Sequence, residues 1–202
     1  MHGALKRTTV MLLLAWAVLA GTVHAADDPA ASQVERFHGA LMESMKAGPE
    51  LGAEARYNRL APIVGRTFDL PVMTAFAVGP AWAGFAPAQQ QAAIAAFTRL
   101  TIASYAHNFN GYGGEQFELE PNVVVRGADR IVQTRMIRPH DTPVSLTYRM
   151  RESGGTWKII DVYYGAVSQL TTRRSDFAAP IAAGGAQGLI AHLTSLTDDL
   201  MK

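Results

Sequence analysis

The sequence holds no cysteine in its 202 residues. That absence excludes disulfides, iron–sulfur clusters and thiol catalysis. It also excludes a lipid-modified amino terminus, which needs a cysteine just after a leader. Charge is sparse: Asp, Glu, Lys and Arg make up 17% of the chain, with 18 basic residues against 17 acidic ones. No basic stripe interleaved with aromatics emerges from so few charges, so nucleic acid is not an expected partner. Catalytic signatures are missing as well. HExxH, GxSxG and SxxK do not occur, and Ser168 sits in GAVSQ. His38, His107, His140 and His192 form no i, i+2 or i, i+4 pair, so no metal and no other cofactor is expected. GYGG at 111–114 lacks the spacing of a phosphate-binding loop and follows a helical pattern, so it reads as a turn.

Long apolar runs are confined to the amino terminus. Lys6 and Arg7 precede VMLLLAWAVLA at 10–20, and Val23-His24-Ala25 places small residues where a leader peptidase reads. Residues 1–25 are therefore expected to be a secretory signal cleaved after Ala25. The alternative, an uncleaved anchor, is opposed by the shortness of the run, because a bilayer span needs roughly 20 apolar residues. Residues 26–202 are enough for one domain with a sizeable core. The formal excess of +1 lies in Lys6 and Arg7, so the mature chain is close to neutral. The expected location is the periplasm.

Periodicity divides that domain into helices, strands and helices again. Residues 26–31 read as a loose start. Val34, Phe37, Leu41 and Met45 then recur at helical spacing, and Leu60, Ile63, Val64 and Phe68 share a second face on which Pro62 predicts a kink or restart. Asp69 caps a short helix with Pro71 in its first turn, and Gly79-Pro80 ends it. Pro87 opens a long helix. From Glu115 the period becomes two: FELEPNVVV (117–125), RIVQTRMIR (130–138), Val144 to Arg151 and TWKIIDVYY (156–164) read as four antiparallel strands, with a Gly154-Gly155 hairpin. Leu189, Ile190, Leu193, Leu196 and Leu200 form a last helical face after Gly184-Gly185. The predicted class is α+β, helices packed on a twisted antiparallel sheet of four strands or slightly more.

Carboxylates give little. Glu118 with Glu120 and Asp198 with Asp199 read as solvated faces. Asp161 is expected on the strand face of Trp157, Ile159 and Tyr163, where burial would suit a general base; the alternative is a rim residue bonded to a neighbouring arginine or to backbone. Apolar surface is plentiful instead. Phe68, Met73, Phe76, Trp82, Phe97, Tyr105 and Phe109 from the helices, and Leu146, Tyr148, Met150, Trp157, Ile159 and Tyr163 from the strands, either fill a core or line a pocket.

A resemblance bears on that choice. RTFDLPVMTAFAVGPAW (66–82), AQQQAAIAAFTRL (88–100), YAHNFNGYGGEQF (105–117), WKIIDVYYGAVSQLTTRRSDF (157–177) and GGAQGLIAHL (184–193) resemble the Mla-type, toluene-tolerance family of periplasmic lipid-binding proteins, the MlaC-like proteins. They look closest to its hopanoid biosynthesis-associated HpnM branch. The resemblance implies helices around a twisted sheet, a deep hydrophobic pocket and no enzyme activity. It implies a carrier of hopanoid or phospholipid, in transient membrane contact, between an inner-membrane transport complex and an outer-membrane acceptor. Ser168, Arg173 and Arg174 would then lie at the pocket mouth, where the arginines steer a phosphate head group or an acidic partner, or else they form a capped helix start with solvated side chains. Two other readings stay open: a small isomerase or hydrolase using Asp161 or His107, and a structural adaptor with a filled core.

Overall fold

Asp28 starts the helical layer. Its carboxylate accepts from the Ala30 N–H at 2.8 Å, and Pro29 occupies the first turn of α1 (Pro29–Lys46). Such a cap contributes on the order of 1 kcal/mol. Arg130 reaches the same carboxylate at 3.3 Å and ties the helix to the sheet. Ala30 and Ala31 are fully buried, so the loose start expected over 26–31 is a packed first turn. The structure is a computed structural model describing residues 21–202 except Pro49, and the leader expected over 1–25 lies outside the described residues as far as residue 20.

α2 (Ala53–Thr67) runs straight through Pro62. Pro62 faces solvent, where water serves the Asn58 carbonyl that the missing N–H leaves free. α3 (Leu70–Val78) begins at Asp69, whose side chain accepts from the Val72 N–H, and a 3-10 turn over Gly79–Gly84 carries Trp82. α4 (Pro87–Asn108) lays Ala93, Ala96, Ala103 and Ala106 against its neighbours, so that α2 and α5 (Gln169–Leu200) approach it closely. α5 is two helices joined at a kink, where Gly184 and Gly185 leave helical geometry and Gly185 takes φ 56°. Among the described residues no helix is long and apolar enough to cross a membrane.

Among the described residues the sheet has seven antiparallel strands, in the order β1 (Thr22–His24), β3 (Asn122–Arg126), β4 (Asp129–Ile137), β5 (Val144–Ser153), β6 (Thr156–Tyr164) and β7 (Val167–Ser168), with β2 (Gln116–Leu119) also paired to β4. The single strand expected over 117–125 is broken at Glu120-Pro121, since proline cannot donate to the ladder. Its two halves pair with opposite ends of β4. On β5 the expected alternation holds: Val144, Leu146, Tyr148 and Met150 are buried against the helices.

β6 departs from strict alternation. Arg149 pairs with Asp161 while Met150 pairs with Ile159, so Ile160 is a bulge. Beyond it the faces exchange: Val162 and Tyr164 sit opposite Tyr148 and Leu146, and Tyr163 sits opposite Thr147 on the outer face.

At the α5 kink a Cβ on Gly188 would lie 2.4 Å from the Pro180 carbonyl oxygen, whereas one on Gly39, inside α1, would meet nothing within 4 Å. Gly188→Ala is expected to lose about 1–3 kcal/mol in urea unfolding. Gly39→Ala is expected to gain up to about 1 kcal/mol.

Candidate functional site

Helices and sheet do not interdigitate everywhere. A cavity of about 740 Å³ lies between them. Its helical wall includes Met45, Phe68, Met73, Phe97, Leu100 and Tyr105. Its sheet wall is Met136, Leu146, Tyr148, Val162 and Tyr164. Thr101 and Ser104 add no free donor, because their hydroxyls donate to the Phe97 and Leu100 carbonyls at 2.8 Å. One end is polar, formed by Asn108, Asn110 and Glu115 near the end of α4, Arg138 beside the end of β4, and Gln169 and Arg173 from the first turn of α5.

An aromatic cluster forms part of the wall. The Phe37 ring meets Phe68 and Tyr105 edge-on at 5.2 Å each and Tyr148 at 6.4 Å, and Tyr105 stacks on Phe109 at 5.7 Å. Behind them His38 shares a 2.9 Å hydrogen bond with the Tyr148 hydroxyl and stacks on Phe117 at 4.1 Å. Burial lowers the His38 pKa to about 3, so the ring is neutral at physiological pH. Burial also raises the Tyr105 and Tyr148 phenols, with Tyr105 adding to the rise at Tyr148. All three groups are uncharged, and the cavity wall remains apolar.

The structure brings together Phe68, Met73, Phe97, Tyr105, Phe109, Leu146 and Tyr148 from the sequence-predicted pocket set. Phe76, Trp82, Met150, Trp157, Ile159 and Tyr163 lie outside the lining. Met150 and Ile159 are fully buried core. Trp157 takes the Arg130 guanidinium on its face at 5.0 Å. Trp82 packs on Phe85 at 6.1 Å. Phe76 is 45% exposed, because α3 buries Leu70, Met73, Thr74, Ala77 and Val78 instead. Tyr163 is turned outward by the Ile160 bulge and borders a separate polar groove with Arg126, Asp129 and Arg149. There burial raises the Asp129 carboxyl, but hydrogen bonds from Arg151 and Arg149, both at 2.6 Å, outweigh it and hold the group below its ordinary value.

Of the expected mouth residues, only Arg173 reaches the cavity. Ser168 caps α5, accepting from the Thr171 N–H at 3.0 Å, and its hydroxyl donates to Asp161 at 2.7 Å. Asp161 also accepts from the Leu170 N–H at 3.1 Å. It is a latch between β6 and α5 and, past the bulge, does not share the face of Trp157 and Ile159. Arg174 lies over the Phe76 ring at 5.5 Å. His107 is exposed at the end of α4 and does not line the cavity. No group of three or more His, Asp or Glu side chains among the described residues is arranged to hold a metal. The lining residues that the sequence reading missed include Val162 and Tyr164, hidden by the bulge, Met45, Leu100 and Met136, and Arg138, which shares the inward parity of Thr134 and Met136.

A family model described as MlaC protein matches residues 35–195. The chain belongs to the MlaC family. MlaC proteins are periplasmic, non-catalytic lipid-binding carriers. A solved structure, the phospholipid-binding protein from Ralstonia solanacearum in complex with a phospholipid, superposes with a TM-score of 0.76 at 23% identity. The alignment covers 87% of this chain and 100% of that one, so the two share the MlaC fold.

The neutral His38 predicts a specific acid sensitivity. Its pKa is about 3 when folded and near 6.5 when unfolded, so the unfolded chain binds the extra proton between these values. The contribution is full above pH 6.5 and is lost as pH falls toward 3. Urea unfolding is expected to show a loss of about 2 kcal/mol from this group between pH 6.5 and 5. His38→Gln is expected to remove that slope.

Proposed function

We propose that this chain is a non-catalytic periplasmic carrier that shields the acyl part of one lipid in the cavity between helices and sheet, and shuttles it between inner and outer membranes. The observation that carries the reading is the cavity of about 740 Å³ with an apolar wall and one polar end. At roughly 30 Å³ for a group the size of a water molecule, it has room for one long acyl chain and part of a second. Each methylene left in water costs ~0.8 kcal/mol, so an unescorted tail faces a barrier on the order of 10 kcal/mol. The phospholipid bound by the Ralstonia solanacearum protein of the same fold supports a phospholipid cargo. The likeness of the FNGYGG and SQLTTRRSDF stretches to the HpnM branch supports a hopanoid, whose rigid rings lose less conformational entropy on binding.

In this reading an inner-membrane transport complex and an outer-membrane acceptor exchange lipid with the chain, and residues 1–25 are its export signal. Phe68, Met73, Phe97, Tyr105, Phe109, Leu146 and Tyr148 contact the tail. Asp161 and His107 have no chemical role.

Ser104→Trp places an indole in the cavity from a lining position that is not itself part of the aromatic cluster. Protein purified without lipid stripping is expected to release lipid on organic extraction, detected by mass spectrometry. Ser104→Trp is expected to transfer labelled lipid between vesicles roughly tenfold or more slowly, with an unchanged unfolding midpoint. An empty extract from the unmodified chain, or an unchanged transfer rate in the variant, would sink the carrier reading.

A further inference from the structure

The outer face of the sheet, turned away from the cavity, holds a second hollow of about 410 Å³. Strand register places its surroundings in rows. In the first row Arg126, Asp129, Arg151 and Lys158 stand side by side on β3, β4, β5 and β6. Two residues along β4, Ile131 stands opposite Arg149. Next come Gln133, Thr147 and Tyr163, an uncharged row. At the far end of the same face Arg135 meets Glu118 and Glu120 at 3.2 and 2.9 Å. The face is therefore polarised along β4, with cations gathered around the hollow and carboxylates at the other end.

Asp129 shows how these cations hold a carboxylate. It is buried, and it accepts from Arg149 Nε at 2.6 Å and from Arg151 Nε and Nη2 at 2.6 and 3.0 Å. Both guanidiniums spend their Nε edge on it. Their Nη1 groups make no hydrogen bond among the described residues, and the two side chains are 41% and 45% exposed. A guanidinium carries five N–H donors in a planar fork, so each keeps an outer edge for a second carboxylate. Arg126 is exposed, and neither it nor Lys158 forms an ion pair among the described residues. The neighbouring carboxylates are committed elsewhere. Asp161 is buried and accepts from the Ser168 hydroxyl and the Leu170 N–H. Asp69, whose charge reaches Arg151, caps α3.

We propose that this outer-face groove is a docking site for an extended, acidic segment of a protein partner. The spread of the charges selects that occupant. Strands lie about 4.8 Å apart, so the row from Arg126 to Lys158 spans roughly 14 Å, more than one small anion covers. An extended chain with acidic residues at alternate positions presents carboxylates ~7 Å apart on one side, which matches cations set on successive strands. The floor between them, half-buried Ile131, Thr147 and Tyr163, takes uncharged contacts from the same chain. A bilayer surface is too flat to enter the hollow. The pairs are exposed on their outer edges, so the attachment is weak and screened by salt. It leaves the cavity wall untouched, because Thr147 and Tyr163 point away from Leu146, Tyr148 and Val162, which line the cavity. The proposal stands on the outer face alone and is independent of what fills the cavity.

The test measures fluorescence anisotropy of a labelled ten-residue peptide alternating Glu and Thr, against the same peptide with Gln in place of Glu, on the purified protein at low salt. The Glu peptide is expected to bind roughly tenfold or more tightly, the scale of two or three exposed ion pairs, and the advantage is expected to shrink as salt rises. Arg126→Glu is expected to remove most of it with an unchanged unfolding midpoint, and Arg126→Gln to remove part. Arg36→Glu makes the same change of net charge at an exposed position on α1, in the helical layer, and is expected to leave the advantage within about twofold. A Glu peptide that binds no better than the Gln peptide overturns the proposal. So does an equal loss in Arg126→Glu and Arg36→Glu, which would mark attraction to net charge alone. Phosphatidylglycerol vesicles and a heparin fragment are the rival probes. If either binds and is lost in Arg126→Glu while the Glu peptide does not bind, the groove serves a membrane or a sulfated glycan and the peptide assignment falls.

Discussion

The position of Phe37 sets the spacing of the two layers. Its side chain is fully buried at the meeting point of α1, the end of α2, α4 and β5, with Phe68, Tyr105 and Tyr148 around it. Rings that meet edge-to-face at 5–6 Å cannot be compressed without loss of both packing and quadrupole attraction. They act as a fixed spacer. Large rings at one side of the interface prevent the alanine-rich α4 from closing onto β5 along its whole length, and the unfilled remainder is the cavity. The neutral His38 behind Tyr148 fits the same logic, since a charged ring there would be held out of water without a counter-charge.

The two faces of the sheet divide the work. The inner face is aliphatic and aromatic and ends in one arginine. The outer face carries its charges in compensated sets: Arg149 and Arg151 on Asp129, and Arg135 on Glu118 and Glu120. The Arg135 pairs are exposed and contribute little stability individually, whereas Asp129 is buried beneath its two arginines; together the sets keep the outer surface close to neutral. A carrier must release what it takes up, and an interior that is greasy without strong charge pairs suits a cargo whose free energy has to stay near that of a membrane. The latch formed by Ser168, Asp161 and the Leu170 N–H joins the last long strand to the helix that forms the rim. The rim is therefore held by the sheet that forms the opposite wall.

Most of the architecture was legible because the periods were clean. Val144 to Met150 alternate without a fault, Val34 to Met45 repeat at helical spacing, and Asp69, Pro71 and Gly79 mark the ends of α3. The short strands β1 and β7 carry too few residues to show any period. The cavity lining was legible only in part, for local reasons. α3 reads LPVMTAFAV, with no charge to say which side faces water, so nothing in the sequence separates Met73 inside from Phe76 outside. On β6 one extra residue at Ile160 reverses parity, and a reading by strict alternation puts Tyr163 where Val162 and Tyr164 belong. Among the arginines of 173–174 the sequence offers no means of choice. Only the helix phase sends one to the cavity and the other onto an aromatic ring.

The amino-terminal edge of the sheet has a further consequence. Residues 22–24 pair with β3, with the Val125 N–H donating to the Gly21 carbonyl and the Ala25 N–H to that of Pro121. A leader cut away after Ala25 would take this short strand with it and leave the backbone groups of Val123 and Val125 without partners along an open border. Unpaired borders of this kind recruit extended segments from other chains. Were the chain cut there, that border would pass from closed to receptive.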